Sequence, residues 1–302
     1  MIDSVFQHLS DDSPGPNELE AGVSEIFGRL KGLGIVELAK AFPPCRNQEV
    51  STNPSQYAYF SRVSSDAQTV SARVEHASIL ILGLGGLGSV VLQHLVGAGI
   101  KRFTLVDHDF VEESNLGRQF IHSLETLGSS KLESAVRYIE QRVNGAQIQP
   151  IVRQLRNSED VDAVLKLAGH LDSAAVCIDS PPVTAFDVCA TGLWDAAIPF
   201  IHGGLMTQSG FFGPLFALKH GTAHPSLFAL GDAKRAGIHD ACFAPYNTVI
   251  GAYMAAELTH HLAGLHHLIN YTDRTFVDWY RRREVAIKPS SLAWAKSETE
   301  TC

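Results

Sequence analysis

Between Gly83 and Lys131 the chain sets out glycines, carboxylates and cations in an order that suits a bound nucleotide. Gly83, Gly85 and Gly88 form a G-x-G-x-x-G pattern, with Gly86 as an extra glycine. Gly83 allows a tight turn, Gly85 and Gly86 let backbone N–H groups approach a phosphate, and Gly88 lets the next helix pack close to the strand before it. Asp107 follows 24 residues after Gly83, and a carboxylate at that spacing suits two ribose hydroxyls. Asp109 comes next, then Asn115, Arg118 and Gln119 on a short polar segment, then Lys131. A dinucleotide needs few cations, whereas a triphosphate has about twice the phosphate charge and an in-line attack on it needs Arg and Lys donors. Mg²⁺ then needs at least one carboxylate. Asp179, at the end of a further apolar run, is the candidate for it. The ordered set points to ATP and Mg²⁺ rather than to NAD and hydride transfer.

These groups need a sheet to hold them. Residues 78–82 read as a buried parallel strand, 89–97 as the helix whose N-terminus faces an anion, and 103–106 as a second strand ending at Asp107. A helix over 131–142 opens at Lys131; strand 148–152, helix 158–168, strand 174–178, helix 184–197 and strand 199–202 follow. That alternation predicts an α/β fold, a Rossmann-like, doubly wound, mostly parallel sheet, with a late antiparallel part over 211–219. Strand ends on the carboxyl side of such a sheet share one crevice, so Gly83, Asp107 and Asp179 should meet there. A helix over 67–74 leads into the first strand, and 225–245 reads as a loop-rich, substrate-facing excursion. A small-residue-rich helix over 249–262 suits packing on the sheet or at a dimer interface.

Three segments are expected: an N-terminal helical extension over 1–55, an ATP-binding domain over 56–290, and a polar tail over 291–302. In the extension, Leu19, Val23, Ile26, Phe27 and Leu30 recur at helical spacing, Gly32 and Gly34 mark a turn, and Pro43-Pro44 ends the unit. It reads equally as part of a peptide-recognition module and as a packing arm.

The GLGGLG turn, the Asp107/Asp109 pair, the SNLGRQ stretch at 114–119, Gly128 with Lys131, and Asp179 together resemble the ThiF/MoeB/HesA family, bacterial relatives of ubiquitin-activating enzymes. The resemblance spans roughly residues 59–285. It implies ATP/Mg²⁺-dependent adenylation of a carboxylate, usually on a protein or peptide, by a homodimer in which an early Arg reaches the partner's ATP. Phe60-Ser61-Arg62 looks like that segment, so Arg62 is the candidate; an exposed linker arginine is the competing reading. The stretch 199–215 is most similar to the peptide-modifying branch, which includes the microcin C-type and pantocin A-type enzymes. That similarity implies a ribosomally made precursor peptide as substrate, in antibiotic biosynthesis.

Two departures bear on this. Many relatives hold a structural Zn²⁺ in two C-x-x-C pairs, but Cys45, Cys177, Cys189, Cys242 and Cys302 stand far apart, so no zinc site is expected. Asp179 is followed by Ser180-Pro181-Pro182, unlike the sulfur-carrier activators. Two alternatives stay open: activation of a Gly-Gly-ended sulfur-carrier protein for thiamin or molybdopterin synthesis, and a non-catalytic nucleotide- and peptide-binding partner.

The 302 residues are 45% apolar, enough for a large core, and a net charge of −8 gives no general basis for binding nucleic acid. No apolar run approaches the length of a membrane span, no basic signal segment opens the chain, and scattered cysteines suit a reducing cytosol; the expected location is cytoplasmic. His260, His261, His266 and His267 gather around one helix end, where a metal would need further ligands brought by the fold. Cys189 and Cys242 could form a thioester, but no neighbour marks an activated thiolate, and Cys177 reads as core.

Overall fold

The apolar run at 78–82 becomes β1 (Ser78–Leu82), and its last four residues are almost wholly buried. In this computed structural model, which describes residues 25, 26, 28, 29, 53–178, 184–228 and 242–289, β1 lies between two parallel neighbours, β2 (Arg102–Asp107) and β4 (Ser173–Val176). β3 (Gln147–Val152) extends the sheet beyond β2, and β5 (Phe200–Leu205) beyond β4, both in parallel. Then β6 (Ser209–Phe212), β7 (Arg274–Asp278) and β8 (Arg283–Ile287) add on antiparallel. The order is β3-β2-β1-β4-β5-β6-β7-β8. This is the expected α/β architecture, mostly parallel with an antiparallel end.

Alternation along β1 divides the core. Ile79 and Ile81 pack with Val91, Leu95, Ile250 and Met254 on one face. Leu80 and Leu82 pack with Val161, Val164, Phe186 and Leu193 on the other, as the two-residue repeat of a strand requires. Each fully buried aliphatic chain contributes about 1.5–3 kcal/mol. Among the described residues from 53 onward, the α-helices are α1 (Pro54–Val63), α2 (Ala67–His76), α3 (Gly86–Gly97), α4 (Lys131–Glu140), α5 (Ser158–Ala168), α6 (Thr184–Asp195) and α7 (Ala244–Ala263). α7 lies close against α3 because residue 251 is glycine: a Cβ there would stand 2.7 Å from the Val90 side chain.

Several boundaries differ from expectation. The helix expected over 89–97 starts at Gly86, because the glycine turn is itself the first helical turn. The helix expected from 249 starts at Ala244; Pro245 fits the first turn, where its missing N–H costs nothing. The strand expected to reach 178 ends at Val176, which frees Cys177 and Ile178 to face the crevice described below. The antiparallel segment expected over 211–219 ends at Phe212, where Gly213 adopts φ of 70° and turns the chain. α1, β7 and β8 were not expected.

The chain divides into two units, Met1–Glu49 and Val50–Cys302. Residues 25, 26, 28 and 29 of the first are helical; the remainder of the expected extension up to residue 52, and the tail 291–302, lie outside the described residues. Among the described residues no helix is long and apolar enough to cross a membrane.

Candidate active site

The site forms where strand order reverses between β1 and β4, at the carboxyl ends of the strands. Gly83 leaves β1 with φ of 91°, and a Cβ on it would meet the Cys177 carbonyl oxygen at 2.8 Å. A Cβ on Gly88 would stand 1.9 Å from the Gly83 oxygen, so only glycine lets α3 follow so tightly. Gly85 caps α3 without a side-chain hydrogen bond, and open space lies where its Cβ would be. The first N–H groups of a twelve-residue helix therefore face the crevice uncapped, as an anion requires.

Asp107 ends β2 and shapes this turn. Its Oδ2 accepts the Leu84 N–H at 2.6 Å and its Oδ1 accepts the Asp109 N–H at 2.8 Å. Lys131 is the first residue of α4, capped by Ser130. Its buried Nζ lies 2.8 Å from Asp109 Oδ2. Burial would raise the Asp109 pKa, but the hydrogen bond and charge of Lys131, with His108 nearby, bring it below its ordinary value. Asn115 Oδ1 accepts the Glu112 N–H at 3.1 Å, which sets the polar turn, and Arg118 donates to the Ser114 oxygen at 3.0 Å.

Together these residues border a cavity of about 650 Å³, within the range of small-molecule sites. Gly83, Gly85 and Gly86 line it from the turn, Asp107 and Asp109 from the end of β2, and Asn115, Arg118, Gln119 and Lys131 from the opposite wall. Gly88 sits behind the turn. Asp179 lies outside the described residues; Cys177 and Ile178, just before it, line the cavity. Arg62 is exposed on α1 and does not line it. α1 begins at the other end of α3, where Asn53 Nδ2 and Gln56 Nε2 bond the carbonyls of Gly97 and Ala98 at 3.0 and 2.9 Å.

The fold adds residues that the sequence did not mark. Asn247, near the start of α7, lines the cavity, and a Cβ on Gly86 would lie 2.8 Å from its Oδ1. Asn247 Nδ2 and Gln119 Oε1 are buried without hydrogen-bond partners, which marks them as groups that a ligand completes. The Asn247 donor, beside helix N–H groups and two cations, fits a nucleotide polyphosphate, and the Gln119 acceptor fits an O–H or N–H elsewhere on the nucleotide. His122 bonds Ser134 of α4 at 2.8 Å, and burial holds its pKa down to about 4. It is a neutral strut for the helix that carries Lys131. Cys242 is exposed and lines the same cavity, while burial pushes the Cys177 and Cys189 thiols up to about 12.

The sequence pattern of the ThiF family matches residues 55–290. The chain belongs to the ThiF family. Among curated relatives, the molybdopterin-synthase adenylyltransferase of Salmonella typhimurium is 34% identical over 187 residues, 61% of this chain and 72% of that protein. Among solved structures, MccB of Escherichia coli with ATP has a TM-score of 0.70 at 21% identity, covering 92% of this chain and 80% of MccB. PaaA has a TM-score of 0.65 at 16% identity, covering 95% and 87%. These likenesses agree with the observed α/β fold, and as a ThiF-family member the chain is an enzyme of the adenylyltransferase kind.

Proposed function

We propose that this ThiF-family enzyme uses ATP and Mg²⁺ to activate a carboxylate on a ribosomally made precursor peptide, during the biosynthesis of a peptide antibiotic. The observation that carries the reading is the convergence of Lys131, Arg118 and the uncompleted amides of Asn247 and Gln119 beside the uncapped start of α3. The peptide assignment draws support from the fold-level likeness to MccB, a microcin C7 biosynthetic enzyme solved with AMPCPP and with MccA.

In this reading Asp107 binds the ribose, and Gly85, Gly86, Asn115 and Gln119 hold the phosphates. A peptide carboxylate oxygen attacks the α-phosphorus, the bond to the bridging oxygen breaks, and pyrophosphate leaves; attack at the γ-phosphorus would release ADP instead. Lys131 shifts from Asp109 towards the developing charge, and Arg118 shares that task. Asp179 holds Mg²⁺, which supplies charge neutralisation. Arg62 serves the ATP site of a second copy in a homodimer, and residues 1–55 bind the peptide.

Product analysis tests this. The full chain, ATP, Mg²⁺ and candidate precursor peptides are expected to give AMP or ADP and a mass shift on the peptide, both lost in Asp179→Ala. Normal turnover in that variant contradicts the metal role. The identity to the Salmonella adenylyltransferase favours a second reading, activation of a Gly-Gly-ended sulfur carrier. Pyrophosphate exchange that depends on such a carrier would select it. ATP binding with no AMP or ADP under either condition would select a non-catalytic partner.

A further inference from the structure

Three histidines from separate segments face one another at the end of α7 away from the cavity. His220 closes the short turn Leu218–His220, His261 lies in the last turn of α7, and His266 opens the short turn His266–Leu268. One ligand nitrogen from each lies within 4.8 Å of the other two. The ring centroids are 4.3 Å apart for His220 and His266, 5.5 Å for His261 and His266, and 5.9 Å for His220 and His261. We propose that His220, His261 and His266 form a binding site for a divalent transition-metal ion, with Zn²⁺ as its ion.

The donor set and its surroundings support this. Imidazole nitrogen suits zinc, and tetrahedral zinc with bonds of about 2.0–2.1 Å spaces its nitrogens about 3.4 Å apart, so small ring rotations complete the set. Tyr271 orients two of the rings: its hydroxyl lies 2.9 Å from His261 Nδ1 and 2.8 Å from His266 Nδ1. Its ring also stacks on His220 at 4.3 Å. The phenol oxygen has two lone pairs and can accept Nδ1–H from both rings; in those tautomers each ring presents its Nε2 lone pair, the device by which metal-binding histidines are held in one tautomer.

The local charges are compatible with a cation. Asp172 acts on His261, and Glu257 on Tyr271. Burial raises the Glu257 carboxyl to about 7, and an adjacent cation would favour its ionised form. Arg73 and His267 act on His266 in the opposite sense and set a limit on affinity. His266 is exposed, which gives an ion access. The three ligands differ in kind and position from the thiolate pairs whose absence argued against zinc, and none lines the ATP cavity. The bound ion would pin the segment after β6 to the end of α7.

The test uses tag-free full chain, stripped by a chelator and titrated with Zn²⁺ against a chromogenic competitor. One equivalent is expected to bind and raise the melting temperature, and Co²⁺ in its place should show tetrahedral visible bands without thiolate charge transfer. A His220→Asn/His266→Asn double variant should lose that equivalent while its metal-free melting temperature stays unchanged. If the double variant melts early without metal, His266→Asn alone decides by the same criterion, and Tyr271→Phe should weaken binding about 10–100-fold. An equivalent that survives these histidine changes, or that is lost instead in Asp109→Asn, overturns the proposal, as does the absence of binding up to about 100 μM free Zn²⁺.

Discussion

The two ends of α7 belong to clusters built in different ways. Near its start, Asn247 joins a cavity whose other polar members come mainly from the run between Gly83 and Lys131. In its last turn, His261 meets His220 and His266, which arrive from separate turns. Asn247 and His261 lie in one helix, about 21 Å apart at 1.5 Å per residue. The cavity is built on consecutive strand–loop–helix units of a parallel sheet, where spacing along the chain becomes spacing in the crevice. The histidine cluster has no such unit. Only the packing of the segments around the antiparallel end of the sheet brings its members together, and Tyr271 orients them.

If the cavity is the reacting end, its cation has the largest effect. Lys131→Ala should lower peptide-dependent ATP turnover by about 10²–10³, and a loss under tenfold in steady-state assays would move the chemistry elsewhere. Next in size are the glycines. Gly88→Ala forces a Cβ to 1.9 Å from the Gly83 oxygen, so it should cost about 3 kcal/mol in a denaturant titration and also abolish ATP binding. Gly85→Ala meets nothing within 4 Å and should keep the denaturation midpoint, yet weaken ATP binding about tenfold because a methyl group then crowds the phosphate approach.

His122 gives a pH signature at the same end. Its folded pKa is held at about 4 by burial, below its ordinary 6.5. The unfolded chain therefore takes the proton first. The neutral-imidazole contribution is complete above about pH 6.5 and is lost as pH falls from there through 4, by up to about 3 kcal/mol. His122→Gln should flatten that part of the profile in urea midpoints measured at pH 7.5 and 4.5; an unchanged profile would contradict the burial argument. The smallest effect sharpens the contrast between the ends. His266→Asn should change ATP affinity by less than about twofold, since distant sites act independently.

The unequal legibility of the two ends has physical reasons. Gly83, Gly86, Gly88, Asp107 and Lys131 could be read in sequence because each position tolerates few residue types: a positive φ, a close approach by backbone or by Asn247, a carboxylate on two backbone N–H groups, and a buried ammonium beside Asp109; Gly85 was legible only through the glycine pattern. Asn247 carries no local signal; its role comes from α7 lying against the glycine turn. β7 escaped because it opens with Arg274, which breaks an apolar pattern. That side chain is fully buried, bonds the Gly213 and Phe228 carbonyls, and sits 4.7 Å from the Phe211 ring, partners that sequence spacing does not reveal. β8 is an exposed edge with polar Arg283 and Glu284, so it has no buried face to announce it. The histidines at 260–267 were visible as a group, but the third ligand, His220, became visible only in the fold.

In the proposed function, the crevice at the carboxyl ends of β1, β2 and β4 takes ATP. Isothermal titration of Mg·ATP into the full chain and into Asp107→Ala tests it most directly. We predict one ATP per chain for the native protein and an affinity weakened at least about 100-fold in the variant, which loses the ribose contacts together with the support for the Leu84 and Asp109 N–H groups. No saturable binding to the native chain, or equal affinity in the two proteins, would contradict it.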